Sequence, residues 1–160
     1  MNYENKLKEM IEQKRVVFPL TDLDGRVTGI VGRNLKACAK NVIRGEGFFG
    51  DINTEKDTLI IVEGFADVFF TQISRYDNVI VFSRKYLTDI VLERLAKMNK
   101  KIILFYDNDE LGQRTAQDLF ERLTKYGIRV YNYRTDDARD IIEYLQKGKS
   151  LDEIFAIAKG

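Results

Sequence analysis

Two short apolar segments that each end in acid constrain this chain more than anything else in it. Residues 59–62 read Leu-Ile-Ile-Val and run into Glu63-Gly64-Phe65-Ala66-Asp67. Residues 102–105 read Ile-Ile-Leu-Phe and run into Tyr106-Asp107-Asn108-Asp109. Continuous apolar runs bounded in this way belong to strands buried on both faces, as in a parallel sheet covered by helices. Carboxylates at the ends of such strands are costly unless a positive charge lies between them. A divalent metal ion is the usual partner, and it points to phosphate chemistry.

The flanking pattern supports that sheet. From residue 58 onward strand-like and helix-like segments alternate. Strands are expected over 58–62, 78–82, 101–106 and 128–133. Helices are expected over 66–75 (apolar at Val68, Phe69 and Ile73), 87–98 with Thr88 as N-cap, 111–126 stopped by Gly127, 137–146 and 151–158. The long helix shows apolar Leu111, Ala116, Leu119, Phe120 and Leu123. The fold class that follows is α/β, a central, mainly parallel sheet flanked by helices. Sites in such sheets lie beyond the carboxyl ends of the strands, where both acidic stations fall.

Residues 1–57 read differently, as a basic N-terminal extension, so the expected division is 1–57 and 58–160. A short polar helix is expected over 3–13. Strands over 16–20 and 26–31 flank Thr21-Asp22-Leu23-Asp24-Gly25, whose Asp-Gly is a hairpin signal. Pro19 suits an edge strand. Gly45-Glu46-Gly47-Phe48-Phe49-Gly50 reads as a flexible connector and lacks the Gly-Lys-Ser/Thr of a phosphate-binding loop.

Composition narrows the chemistry. The chain has 160 residues, no histidine and one cysteine. That removes a Ser-His-Asp triad, a histidine general base, a HExxH zinc site and a Cys-rich zinc site, so no zinc is expected. A metal must then be held by oxygen ligands, which favours Mg2+, Mn2+ or Ca2+. Cys38 reads as a reduced thiol in a cytoplasmic protein. There is no apolar run of about 18 residues, so no membrane partner is expected. The net charge of +1 is uninformative, but its distribution is not. Five basic residues (Arg26, Arg33, Lys36, Lys40 and Arg44) occur without an acid between them, and Arg84, Lys85, Arg94, Lys97, Lys100 and Lys101 form a second basic stretch. Runs of this kind are often solvated surface; beside a phosphate site they suit nucleic acid.

The acids differ in what they can do. Asp107 and Asp109, two apart, share a side if the strand continues, and can grip one cation or bridge two. Gly64 permits close approach of a ligand. Asp67, in the first turn of a helix, also suits the helix dipole, and Asp137 and Asp140 suit capping of a later helix equally well.

Val62-Glu63-Gly64-Phe65-Ala66-Asp67-Val68, followed by Phe105-Tyr106-Asp107-Asn108-Asp109-Glu110-Leu111-Gly112-Gln113-Arg114-Thr115-Ala116, resembles the TOPRIM domain and, within it, bacterial DnaG-type primases. Their version reads VEGYxDV and YDxDxAGxxAA. The run from Phe18-Pro19-Leu20 through Gly32-Arg33 resembles the FPIxDxxGxxxGFxGR segment. Ser83 with Leu87-Thr88 resembles SxGTxLT, with Arg84-Lys85 in place of Gly-Thr. Asp137-Ala138-Arg139-Asp140 resembles a KDPxD-like element. The resemblance covers roughly residues 16–150.

It implies a TOPRIM fold with a small hairpin-containing extension. It also implies RNA-primer synthesis on single-stranded DNA during replication. Glu63, Asp107 and Asp109 are implied as catalytic holders of Mg2+ or Mn2+, with Asp67 in support and Asp137 and Asp140 outside them. Arg33 is implied to face template or nucleotide phosphates, with Lys40, Arg44, Arg26, Ser83, Arg84 and Lys85 completing the candidate set. The implied partners are the single-stranded template, nucleoside triphosphates and a replicative helicase, the last reached through regions absent here. The family's zinc module, helicase-binding domain and much of the N-terminal half of the polymerase core are also absent, as in a core fragment or a small stand-alone relative. The same acids suit a TOPRIM nuclease, in which the metal activates water, and the fold alone suits a non-catalytic nucleic-acid or replisome module. A topoisomerase needs a further domain carrying a nucleophilic tyrosine. Receiver domains and haloacid-dehalogenase-type phosphatases place their acids on other strands.

Overall fold

The structure, a computed structural model, describes residues 3–34 and 40–158; Lys36 and Cys38 lie outside the described residues. Packing separates the chain into two units. One holds the described residues through Phe49 together with Phe82–Leu87; the other holds Gly50–Val81 and the described residues from Thr88 onward.

In the first unit α1 (Tyr3–Glu12) leads into a hairpin of β1 (Arg15–Thr21) and β2 (Val27–Asn34). The two strands pair antiparallel from Arg15↔Asn34 to Thr21↔Val27, with an irregularity after Leu20. The Asp-Gly signal acts as expected. Asp22 Oδ1 accepts from the Asp24 and Arg26 amides at 2.9 Å each, and Gly25 takes φ +78°. Pro19 lies opposite Ile30, whereas β1 meets β4 (Phe48–Gly50) at Thr21↔Phe48. The proline thus occupies a locally unpaired edge of β1, where its missing N–H costs nothing.

Residues 45–50 are not a flexible connector. β3 (Val42–Gly45) pairs with β2, and β4 follows after two residues. The glycines here serve close approach: Gly47 sits at φ +151°, and a Cβ on it would fall 2.6 Å from the Thr21 carbonyl oxygen. Phe48, Phe82 and Tyr86 bring their ring centroids to within 5.9–6.3 Å of one another. The Leu23 amide donates to the Tyr86 hydroxyl at 2.9 Å.

The second unit is the expected parallel sheet. Its elements are β5 (Thr58–Val62), α2 (Phe65–Ile73), β6 (Val79–Phe82), α3 (Asp89–Lys97), β7 (Lys101–Phe105), α4 (Glu110–Lys125), β8 (Val130–Asn132), α5 (Ile141–Gln146) and α6 (Leu151–Ile157). β5 pairs in parallel with β6 on one side and β7 on the other, and β7 pairs with β8. All five β5 residues are buried, and so are Ile102 to Phe105 of β7. Burial at successive positions means that both sheet faces are covered. All four strands therefore deliver their carboxyl ends to one edge.

Helix faces depart from expectation in detail. α4 buries Gly112, Ala116, Leu119 and Leu123, a 3.6-residue stripe that leaves Leu111 63% exposed. α2 buries Phe65, Asp67, Val68 and Thr71, so Phe69 and Ile73 lie exposed on the next face round. Thr88 occupies the N-cap of α3, but its side chain makes no capping bond.

Two glycines separate backbone strain from steric blockade. Gly50, at φ +119°, would place a Cβ 2.3 Å from the Val79 carbonyl oxygen, whereas Gly127, at φ +75°, faces open space. Gly127→Ala is expected to cost about 1–2 kcal/mol. Gly50→Ala is expected to cost more than about 3 kcal/mol, because the backbone at Gly50 must also move off the Val79 carbonyl. Urea unfolding midpoints of the two variants measure the difference.

Candidate active site

The acids collect where the strands stop. β5 ends at Val62, and Glu63 is the next residue; its Oε2 accepts from the Asp107 amide at 3.4 Å. Gly64 is the N-cap of α2, and Asp67, three residues on, accepts from the Gly64 amide through Oδ2 at 2.9 Å. Asp67 is therefore a capping residue and, at 7% exposure, a buried acid as well. Asp109 caps α4, its Oδ1 accepting from the Gly112 amide at 2.7 Å. Asp140 caps α5 through Oδ1, bonded to the Glu143 amide at 2.8 Å. Its Oδ2 accepts from Arg139 Nη2 at 3.0 Å and Nε at 3.2 Å.

These carboxylates share one electrostatic field. Burial pushes Asp67 up to about 7, helped by Asp107, Asp140 and Glu63 and opposed by the Gly64 amide. Asp107 rises to about 6, first through burial, then through Glu63, Asp140 and Asp109, with Arg139 opposing. Asp137 does not join them: its ion pair with Lys149 and the Thr135 hydroxyl hold its carboxyl down at about 2. Among the described residues no three carboxylates converge closely enough to chelate an ion as they stand. Their chemistry nonetheless fits a hard cation, being all oxygen, collectively negative and short of positive charge.

Three contributors escaped the sequence reading. A Cβ on Gly112 would meet the Asp107 carbonyl oxygen at 2.4 Å and Glu63 Oε2 at 2.8 Å, so α4 can start beside the acids only with glycine there. The signal was a glycine in the first turn of a helix, where it costs about 1 kcal/mol and needs a reason. Asn108 ties the end of β7 to the loop before α5. Its amide donates to the Arg139 carbonyl and its Nδ2 to the Thr135 carbonyl, both at 2.7 Å. Arg139 brings a cation among the acids.

The basic candidates lie in the first unit. Arg33, Lys40, Arg84 and Lys85 are exposed and Arg44 partly so, while Arg26 is exposed beside Asp24 at 3.8 Å. Arg33 faces Val16 and Arg44 faces Ile30 across the ladders, so the two project from opposite faces of the sheet. Ser83 is buried, with its hydroxyl accepting from the Gly47 amide at 3.0 Å.

The raised Asp107 sets a pH dependence. A carboxyl that titrates at about 6 in the fold and at its ordinary 3.8 in the unfolded chain makes folding more favourable at low pH. That stability is lost as pH rises through this window. Asp107→Asn is thus expected to gain about 1 kcal/mol at pH 7.5 in chelator, after discounting a half-exposed group for solvent screening, or roughly 2–4 °C in Tm. The gain should shrink toward pH 4, which paired thermal melts measure.

Comparison with known proteins fits this geometry. A family model described as Toprim-like matches residues 60–145, more than half of the chain. The DNA primase of Aquifex aeolicus is 26% identical over 149 residues, which is 84% of this chain and 30% of that protein. The crystal structure of the Aquifex aeolicus primase zinc-binding and RNA polymerase domains superposes with TM-score 0.75 at 26% identity, covering 90% of this chain and 40% of that one. A DnaG primase catalytic domain bound to single-stranded DNA gives TM-score 0.72 at 22% identity, over 90% of this chain and 51% of that one. The chain thus spans under a third of the curated relative's length. It belongs to the Toprim-like family, and its likeness there is to the catalytic core of DnaG-type DNA primases.

Proposed function

We propose that this chain serves in a primase-type catalytic core, transferring nucleotidyl groups on a single-stranded DNA template with Mg2+ or Mn2+ at its acidic edge. The carrying observation is the set of mutually repelling carboxylates at the carboxyl ends of β5 and β7, with Asp107 and Asp67 raised well above ordinary aspartates. Similarity to DNA primases supports the reaction class.

Glu63, Asp107 and Asp109 would hold the ion, with Asp67 and Asp140 deepening the negative field. When bound, the ion polarises phosphoryl oxygens and orients an attacking hydroxyl. The protein's own share is positioning. Asp109 spends Oδ1 on the start of α4 and keeps Oδ2 for the ion. Because among the described residues no three carboxylates converge as they stand, ion binding would be coupled to side-chain rearrangement at this edge. Asp137 is reserved for Lys149 and belongs to the outer rim. Residues 1–57 act as the nucleic-acid-facing extension, with Arg33 its first phosphate contact, and residues 58–160 as the TOPRIM domain. Among the described residues no helix is long and apolar enough to cross a membrane. A cytoplasmic setting and a replicative helicase reached through other regions complete the proposal.

Mn2+ at about 100 times its Kd should add about 2.7 kcal/mol, several degrees in Tm, with no such gain in the double variant Asp107→Asn, Asp109→Asn. Primer synthesis from nucleoside triphosphates on single-stranded DNA tests the reaction. Synthesis that survives in the double variant overturns the assignment, and Mn2+-dependent nicking without nucleotides points to the nuclease instead.

A further inference from the structure

Arg139 is a cation among acids, and its bonding is incomplete. Its guanidinium gives Nε and Nη2 to the same oxygen of Asp140, while Nη1 makes no bond among the described residues. A carboxylate gripped through one oxygen is not the two-pronged pairing that a guanidinium makes with a carboxylate or phosphate at its strongest. The Arg139 side chain is 73% exposed, while that of Asp140 is 12% exposed, so the arginine lies mostly in solvent and the carboxylate mostly under cover. Arg139 helps line two hollows of about 440 Å3 each, one shared with Asn108, Lys147 and the acids Asp136, Asp137 and Glu143, the other with Ile142, Gln146, Asp140 and Glu143, so it is a cation set among carboxylates in both. Its backbone is fixed at both ends, the amide donating to Glu143 Oε2 at 2.8 Å and the carbonyl accepting from the Asn108 amide at 2.7 Å. A residue so anchored can swing its head without moving its Cα.

An acidic edge needs such a group. A nucleoside triphosphate is polyanionic and is repelled by Glu63, Asp107, Asp109 and Asp140 until cations intervene. An ion held by the carboxylates supplies part of that charge and also relieves Asp140 and Asp107 of their need for Arg139.

We propose that Arg139 is the phosphate-contacting residue of this edge, serving as counter-charge to Asp140 when no ion is present and turning its free N–H groups to the phosphate chain of a bound nucleotide when one is. The proposal rests on the reading of the acidic edge as a cation centre for nucleotide chemistry. It makes Arg139 a competitor of the metal and a partner of the phosphate, so its removal has effects of opposite sign on the two.

Calorimetric titration of the chain with Mn2+ alone, and then with inorganic tripolyphosphate in saturating Mn2+, reads both. Arg139→Gln is expected to bind Mn2+ a few-fold more tightly and tripolyphosphate about tenfold or more weakly. Arg139→Lys, which keeps the charge and loses the fork, should fall between, and carries the comparison if Arg139→Gln does not fold. A residue that only held Asp140 in place would weaken both affinities together, which overturns the proposal. Unchanged tripolyphosphate affinity with Mn2+ binding intact overturns it too, while leaving the cation centre standing. Wild-type protein that binds no Mn2+ overturns both.

Discussion

Like charges held together by a rigid scaffold are the constraint on which the rest of this protein turns. Glu63, Asp67, Asp107 and Asp109 feel one another because two buried strands stop side by side, and Asp140 joins them from the start of α5. β5 and β7 pair in parallel from Thr58↔Lys101 to Val62↔Phe105, so whatever follows Val62 must lie beside whatever follows Phe105. The apolar side chains that fix this register are fully buried, and burying them supplies the free energy that opposes the repulsion. Stability gained in the interior of the sheet is partly spent at its edge. That is the usual relation between a functional site and its support, and it explains why neutralising Asp107 should stabilise the fold.

The helices refine the arrangement. Three of the acids begin helices: Asp109 and Asp140 as N-caps and Asp67 through the Gly64 amide. Each cap satisfies amides that would otherwise lack partners, and it fixes where the carboxylate stands. The same side chain thus has a structural oxygen and a chemical one. Gly112 completes the device by letting the first turn of α4 lie against the Asp107 carbonyl and Glu63. Asp137 illustrates the alternative fate of a surface acid: paired with Lys149, it is held ionised and contributes no tension to the edge.

What the sequence made legible was what local chemistry decides. The apolar runs at 59–62 and 102–105 specified parallel strands because only two-sided burial tolerates such runs. Asp22 to Gly25 specified the hairpin because Asp and Gly fit the turn backbone. That the acids after Val62 and Phe105 would collect at one edge of the sheet followed from the parallel strand direction. What stayed hidden depended on partners distant in sequence. Gly45 to Gly50 reads as flexible until one sees that the glycines admit a neighbouring carbonyl. Leu111 looks like core until the stripe through Gly112 takes precedence. Asp137 and Asp140 are equivalent on paper and are told apart by Lys149 and Arg139. Arg33 and Arg44 look like one basic surface until the register puts them on opposite faces.

The central claim is that the edge where β5 and β7 end is a cation centre. Anomalous scattering from a crystal soaked in Mn2+ tests it most directly. The expected result is an anomalous peak bounded by the carboxylates of Glu63, Asp107 and Asp109, with at least two of them having rotated toward it. A well-soaked crystal with no peak there, or with Mn2+ only at Asp137 or elsewhere on the surface, would contradict the account.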